Sequence, residues 1–215
     1  FNLSWEGDVV MRKFVLLVLV FGWAVPISSG ANTIAFESNR DGNFEIYTTN
    51  ENGGEQTRLT NNSTDDFGAS WSPDGSKLAF HSLRDGNWEV YSMNSNGNNQ
   101  TQLTSNTASD RRPVWSPDAS RIAFDSDRDR PFELYTMDVN GANVVRLTTS
   151  GSWNLNPQWS PSGDRIAFQA LQNGIHDLYV IEANGANLTK LTDSTSDSFH
   201  PIWSPDGSRI AFDST

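Results

Sequence analysis

The sequence predicts an all-β fold, a β-propeller of four-stranded antiparallel blades. Three observations carry that expectation. First, the stretch Trp71-Ser72-Pro73-Asp74-Gly75-Ser76-Lys77-Leu78-Ala79-Phe80 returns from Trp115 to Phe124, from Trp159 to Phe168 and from Trp203 to Phe212. The tryptophans at 71, 115, 159 and 203 stand 44 residues apart. Second, other markers keep the same step. Ile34, Leu78, Ile122, Ile166 and Ile210 each open an apolar-Ala-Phe triplet, and Tyr47, Tyr91, Tyr135 and Tyr179 mark a second strand. Asn-Gly recurs at 52, 96, 140 and 184, and Leu-Thr at 59, 103, 147 and 191. Third, the intervals between markers are short and rich in turn residues, the pattern of a propeller repeat.

The elements follow in chain order. Phe1 to Val10 precedes the first methionine and reads as upstream untranslated sequence or a disordered leader. Trp5-Glu6-Gly7 requires a purine-rich codon run like that of a bacterial ribosome-binding site. Met11-Arg12-Lys13, the apolar run Phe14 to Val25, and the small residues ending Ser29-Gly30-Ala31 have the layout of a secretory signal peptide over 11–31. The apolar run is shorter than the roughly 20 residues that span a bilayer. The repeats then occupy 32–215.

Within a repeat, strand A leads into the tryptophan, for example Ala69 to Trp71. Ser72-Pro73-Asp74-Gly75 is a turn, with Pro presetting φ and Gly accepting the left-handed end position. Ala119 replaces that glycine in one repeat and is expected to be strained. Strand B covers Lys77 to Ser82. Arg84-Asp85-Gly86-Asn87 closes a hairpin, strand C runs Trp88 to Met93, and Asn96-Gly97 turns again. Strand D ends at Leu103-Thr104, and Ser105 to Arg111 crosses to the next strand A. Leu78 and Phe80 point to one sheet face and Ala79 to the other. The small alanine lets a neighbouring sheet approach, and the repeated Trp, Tyr, Ile and Phe belong to the core. Ile34 enters at strand B and Thr215 ends in mid-repeat, so about four repeats are present. An incomplete arc of a ring of roughly six to eight blades is expected, with uncovered apolar end faces.

Composition narrows the function. The net charge of −11 argues against nucleic acid and anionic lipid as partners. With no cysteine there is no disulfide framework and no thiol nucleophile. There is no Gly-x-Ser-x-Gly elbow for a serine hydrolase. His81, His176 and His200 lack metal-ligand spacing and read as exposed strand or loop residues. Asp125, Asp127 and Asp129 alternate without the glycine and glutamate of a calcium loop, and read as a solvated hairpin. No catalytic residue, metal or cofactor is therefore assigned.

The phrase Trp-Ser-Pro-Asp-Gly-Ser-(Arg/Lys)-(Ile/Leu)-Ala-Phe, followed by Arg-Asp-Gly-Asn-(Phe/Trp)-Glu-(Ile/Val)-Tyr, resembles the WD40-like (PD40) repeat of TolB-type propellers. The resemblance covers nearly everything after residue 32. It implies a non-catalytic, protein-binding scaffold of the bacterial envelope, periplasmic or secreted, and not membrane-inserted after signal cleavage. TolB is a periplasmic protein of the Tol-Pal system that binds a peptidoglycan-associated lipoprotein and TolA. TolB proteins carry an α/β domain before the propeller; here the repeats begin almost at the cleavage site, which leaves Tol-Pal membership open. The repeat is also similar to the propellers of prolyl-oligopeptidase and dipeptidyl-peptidase relatives and of some polysaccharide lyases. An accessory propeller of such a peptidase, or a sugar-active lyase, is the alternative reading.

A four-stranded antiparallel blade places its B–C turns and D–A crossings on one face of the disc. That face is expected to carry Arg40, Arg84 and Arg128 in equivalent turns. It is also expected to carry Asp66, Asp110, Arg111 and Arg112 in the crossings, with His200 at the entry to a strand A. The crossings vary between repeats while the framework does not, which is how loops on a fixed scaffold carry binding.

Overall fold

The computed structural model of the chain describes residues 33–193 and 195–215. The upstream segment and signal peptide expected over 1–31 lie outside the described residues. Five antiparallel sheets follow one another. The first holds β1 (Thr33–Ser38), β2 (Glu45–Asn50) and β3 (Thr57–Arg58). The second holds β4 (Asp66–Trp71), β5 (Lys77–Ser82), β6 (Glu89–Asn94) and β7 (Thr101–Gln102). The third holds β8 (Asp110–Trp115), β9 (Arg121–Ser126), β10 (Glu133–Asp138) and β11 (Val145–Arg146). The fourth holds β12 (Trp153–Trp159), β13 (Arg165–Gln172), β14 (Ile175–Glu182) and β15 (Thr189–Lys190). The fifth has β16 (Ser198–Trp203) and β17 (Ile210–Ser214). Among the described residues there is no helix.

Strand B falls where the sequence places it, but strand A is longer than expected and strand D shorter. β4 begins at Asp66 and β8 at Asp110, so the crossings end sooner than Arg111. Residue pairing explains the firm centre of each blade. Phe36↔Tyr47, Phe80↔Tyr91, Phe124↔Tyr135 and Phe168↔Tyr179 are cross-strand partners. Each pair stacks with ring centroids 5.7 Å apart, a favourable cross-strand aromatic contact.

Sheet stacking follows the strand-B alternation. Leu78 and Phe80 pack back against Ile46 and Leu59 of the first sheet. Ala79 and Val90 pack forward against Trp115, Ile122 and Phe124 of the third. Ala123 and Leu134 then meet Ile166 and Phe168, and Ala167 and Val180 meet Trp203. A large face meets a small face at every interface. Burying each Phe contributes about 2–3 kcal/mol. Two of the four repeat tryptophans also clasp neighbours: Trp159 Nε1 donates to Val114 O at 3.2 Å and Trp203 Nε1 to Gln158 O at 3.1 Å.

The turns are equally repetitive. Asp74 accepts from Ser72 Oγ at 2.6 Å and from Ser76 N at 3.0 Å, and Asp118 and Asp206 do the same in their repeats. The fourth repeat reads Ser-Gly-Asp instead, and Asp164 reaches Ser160 Oγ at 2.8 Å from its new place. Ala119 sits at φ 58°, the strained left-handed position expected for it. Gly141 is required: a Cβ there would lie 2.4 Å from the Leu103 carbonyl of the preceding sheet.

First strands touch across sheets, β4 on β8, β8 on β12 and β12 on β16, whereas the fourth strands touch only their own sheet. The first strands therefore line the inner edge, as they line the central channel of a propeller. Among the described residues no strand of the first sheet touches the last, so the arc is open. The exposure expected at the ends is present: Phe212 is 47% exposed whereas its counterpart Phe168 is 1%.

Candidate binding site on the inner edge

Each of β4, β8, β12 and β16 carries a bulge near its start, between Phe67/Ser70, Arg111/Val114, Leu155/Gln158 and Phe199/Ile202. The bulged residue is Gly68, Arg112, Asn156 or His200, with φ between 50° and 66° in all four. Three are not glycine, so each holds a conformation costing about 1–2 kcal/mol, and bulges re-aim side chains beside functional sites.

Every bulge makes the same contact with the preceding sheet. Its backbone N–H donates to the residue that follows Ala-Phe in strand B there. Gly68 N reaches Glu37 Oε1 at 2.5 Å and Arg112 N reaches His81 Nδ1 at 3.4 Å. Asn156 N reaches Asp125 Oδ2 at 3.3 Å and His200 N reaches Gln169 Oε1 at 3.2 Å. The bulge side chains then turn to their own sheets. Arg112 NH1 donates to both Asp125 oxygens at 3.0 and 3.1 Å, and Asn156 Nδ2 donates to Gln169 at 2.8 Å. His200 Nδ1 lies 2.9 Å from Asp213 Oδ2. A polar belt thus runs unbroken from His81 through Arg112, Asp125, Asn156, Gln169 and His200 to Asp213.

Glycine breaks the pattern once. A Cβ on Gly68 would lie 2.7 Å from the His81 ring, so His81 fills the space that a bulge side chain fills elsewhere. Burial pushes the His81 imidazole down to about 3, and Arg112 and Arg111 beside it act the same way. The ring is neutral and accepts through Nδ1. Burial raises the Asp125 carboxyl, opposed by Arg112 and Arg111, and burial raises Glu37, opposed by the Gly68 N–H.

Beside the belt lies a collar of rings. Phe67 is 4.8 Å from Phe44 and 5.7 Å from Trp88 between centroids. Arg111 stands 4.1 Å above Phe132, and His176 is 4.7 Å from Phe199. These are equivalent repeat positions.

Of the residues expected on the loop face, Arg111, Arg112 and His200 join this inner edge. The others do not. Asp66 and Asp110 are fully buried strand residues, paired with Arg84 at 3.0 Å and Arg128 at 2.7 Å. Arg40, Arg84 and Arg128 each bond the serine two residues earlier and lie 4.5–4.8 Å over Tyr47, Tyr91 and Tyr135. They are framework, except that Arg40 is exposed at its tip. Two further expectations need correction. His81 is buried, because alternation puts it on the face of Ala79 against the next sheet. Asp125 is fully buried for the same reason and is no solvated hairpin residue. Glu37, Asn156, Gln169 and Asp213 were not singled out from sequence. For Glu37, Gln169 and Asp213 the signal is a column that changes, Glu-His-Asp-Gln-Asp, immediately after an Ala-Phe pair that does not; Asn156 belongs to the changing bulge column of Gly68, Arg112 and His200. Among the described residues no group of His, Asp or Glu side chains could hold a metal ion.

The TolB beta propeller domain matches the chain over residues 22–101, 67–176 and 154–215. No curated protein matches it. Among solved structures, putative TolB from Agrobacterium tumefaciens is 26% identical, with a TM-score of 0.75, covering 85% of this chain and 70% of that one. TolB from Acinetobacter baumannii is 26% identical, with a TM-score of 0.73, covering 83% of this chain and 45% of that one. Oligogalacturonate lyase from Vibrio parahaemolyticus is 17% identical, with a TM-score of 0.66, covering 86% of this chain and 56% of that one, a likeness of fold alone. With the repeat matched across almost its whole length, the chain belongs to the TolB β-propeller family.

Proposed function

We propose that the chain is an exported, non-catalytic scaffold that docks a protein segment against its inner edge, in the periplasm or outside the cell. One observation carries the reading. The Ala-Phe pair stands in all five sheets and the repeat Trp and Tyr in four each, while the belt positions differ in charge and hydrogen-bonding character from sheet to sheet. A variable column held in strained geometry on a fixed scaffold is what a specific docking surface requires. Export rests on the basic-apolar-small layout of residues 11–31, and the protein partner on family membership.

A photoreactive residue placed at His200 tests this, with Val145 on the outermost strand as control. In the native cell, adducts with a discrete envelope protein are expected at His200 and not at Val145. Equal adducts at both positions, or turnover of an oligosaccharide or peptide by the isolated chain, would contradict the proposal.

A further inference from the structure

Arg111 is held in place without a hydrogen-bond acceptor. Among the described residues its buried Nε has no partner. The nearest carboxylate oxygen, Asp125 Oδ1, is 3.9 Å away, beyond hydrogen-bond reach. The guanidinium is kept instead by the Phe132 ring beneath it, 4.1 Å to the centroid. Stacking uses the face of the group and leaves its in-plane donors free. Arg112 engages Asp125 through NH1 alone. Both side chains remain approachable, 25% and 35% exposed. Trp71, Trp115 and Arg121 likewise keep a buried donor without an acceptor, but Arg111 stands beside a second arginine that shares its aspartate, and the exposed parts of these two side chains are what a ligand can reach.

Charge selects the acceptor this pair can take. Two guanidiniums face Asp125, and nearby Asp127, which also acts on Arg111, is paired with Arg130, leaving a local surplus of a single positive charge. A monoanion neutralises it. A dianion would overshoot it in a chain of net charge −11. The planar fork of arginine matches a carboxylate in two-pronged fashion. The rings Phe44, Phe67 and Trp88 pack tilted on one another, while Trp153, 5.8 Å from Phe132, is half exposed, so a sugar ring is the competing carrier that the galacturonate probe tests. A peptide is the carrier that a protein-docking inner edge supplies.

We propose that Arg111 and Arg112 form a subsite for one carboxylate group of a bound peptide, an acidic side chain or a C-terminus. This rests on the inner edge being the docking surface. The test follows the arginine Nε–Hε signals of the nitrogen-labelled protein by NMR at constant ionic strength. The probes are N-acetylglycine, N-acetylglutamate α-amide, N-acetylglycine amide, inorganic phosphate and galacturonate. Saturable shifts of the Arg111 signal are expected with the two peptide carboxylates below about 100 mM, and none with the neutral amide. Which of the two saturates first identifies the source. Arg112→Gln should weaken the carboxylates about tenfold. Arg111→Lys, which keeps the charge opposite Asp125 and so the fold, should weaken them by a similar factor when read from the Arg112 signal. Absence of saturation, shifts unchanged in both variants, or tighter binding of phosphate or galacturonate would overturn the subsite. Carboxylate binding without the photo-adducts at His200 would sink the docking proposal alone; adducts without carboxylate binding would sink the subsite alone.

Discussion

His81 should make this fold acid-sensitive by a calculable amount. The ring is buried between two sheets, with Arg111 and Arg112 as its charged neighbours, and its pKa falls from 6.5 to about 3. The folded protein therefore keeps His81 neutral while the unfolded chain takes up a proton as the pH drops through 6.5. Stability from this group is whole above that value and is lost progressively as pH falls towards about 3. From about pH 7.5 to about pH 5 the loss amounts to about 2 kcal/mol. Glu37 and Asp125, raised by burial, act in the opposite direction and partly mask it in the native protein. A variant isolates the term. Gln169 occupies the equivalent position in the fourth sheet and accepts the next bulge N–H through an oxygen. His81→Gln should do the same for Arg112 without titrating. Urea unfolding followed by tryptophan fluorescence, at both pH values and for both proteins, gives the double difference. The native protein is expected to lose about 2 kcal/mol more than the variant on acidification. Equal losses would refute the account of a buried neutral imidazole.

Other substitutions test the framework. Ala119→Gly relieves φ 58° in a turn where Gly75, Gly163 and Gly207 occupy the same place, and should raise stability by about 0.5–1 kcal/mol in the same assay. Ala123→Leu forces the third and fourth sheets apart where no exposed surface remains, and should cost about 1–3 kcal/mol, seen as a lower urea midpoint. Arg128→Met leaves Asp110 buried without its cation and should cost about 2–3 kcal/mol, with the melting temperature recovering as Asp110 is also changed to Asn.

The framework was legible because sheet packing imposes residue type and period together. The interface needs alanine on one face and Ile and Phe on the other, so the Ile-Ala-Phe step of 44 residues announces both the strand and its partner. Charge was harder to place. Asp66 and Asp110 look like loop residues, and only three-dimensional pairing with Arg84 and Arg128 reveals why strands can begin on buried carboxylates. The belt was hidden for a geometric reason. A bulge inserts residues into strand A, so the period-two rule fails there, and Arg112 turns to Asp125 across its own sheet while its N–H reaches His81 in the previous one. Period and composition do not encode that crossover. The column that varies after each Ala-Phe pair does carry the information, once strand alternation is followed past the phenylalanine to the next residue.

The central claim is that binding resides in the variable inner belt and not in the constant blades. Peptides selected from a random library against the chain test it, their contacts mapped by backbone amide shifts. The account predicts shifts concentrated at Glu37, His81, Arg111, Arg112, Asn156 and His200, with acidic residues enriched in the selected peptides. Shifts concentrated on the outer strands, or on the exposed faces around Ile34 and Phe212, would contradict it.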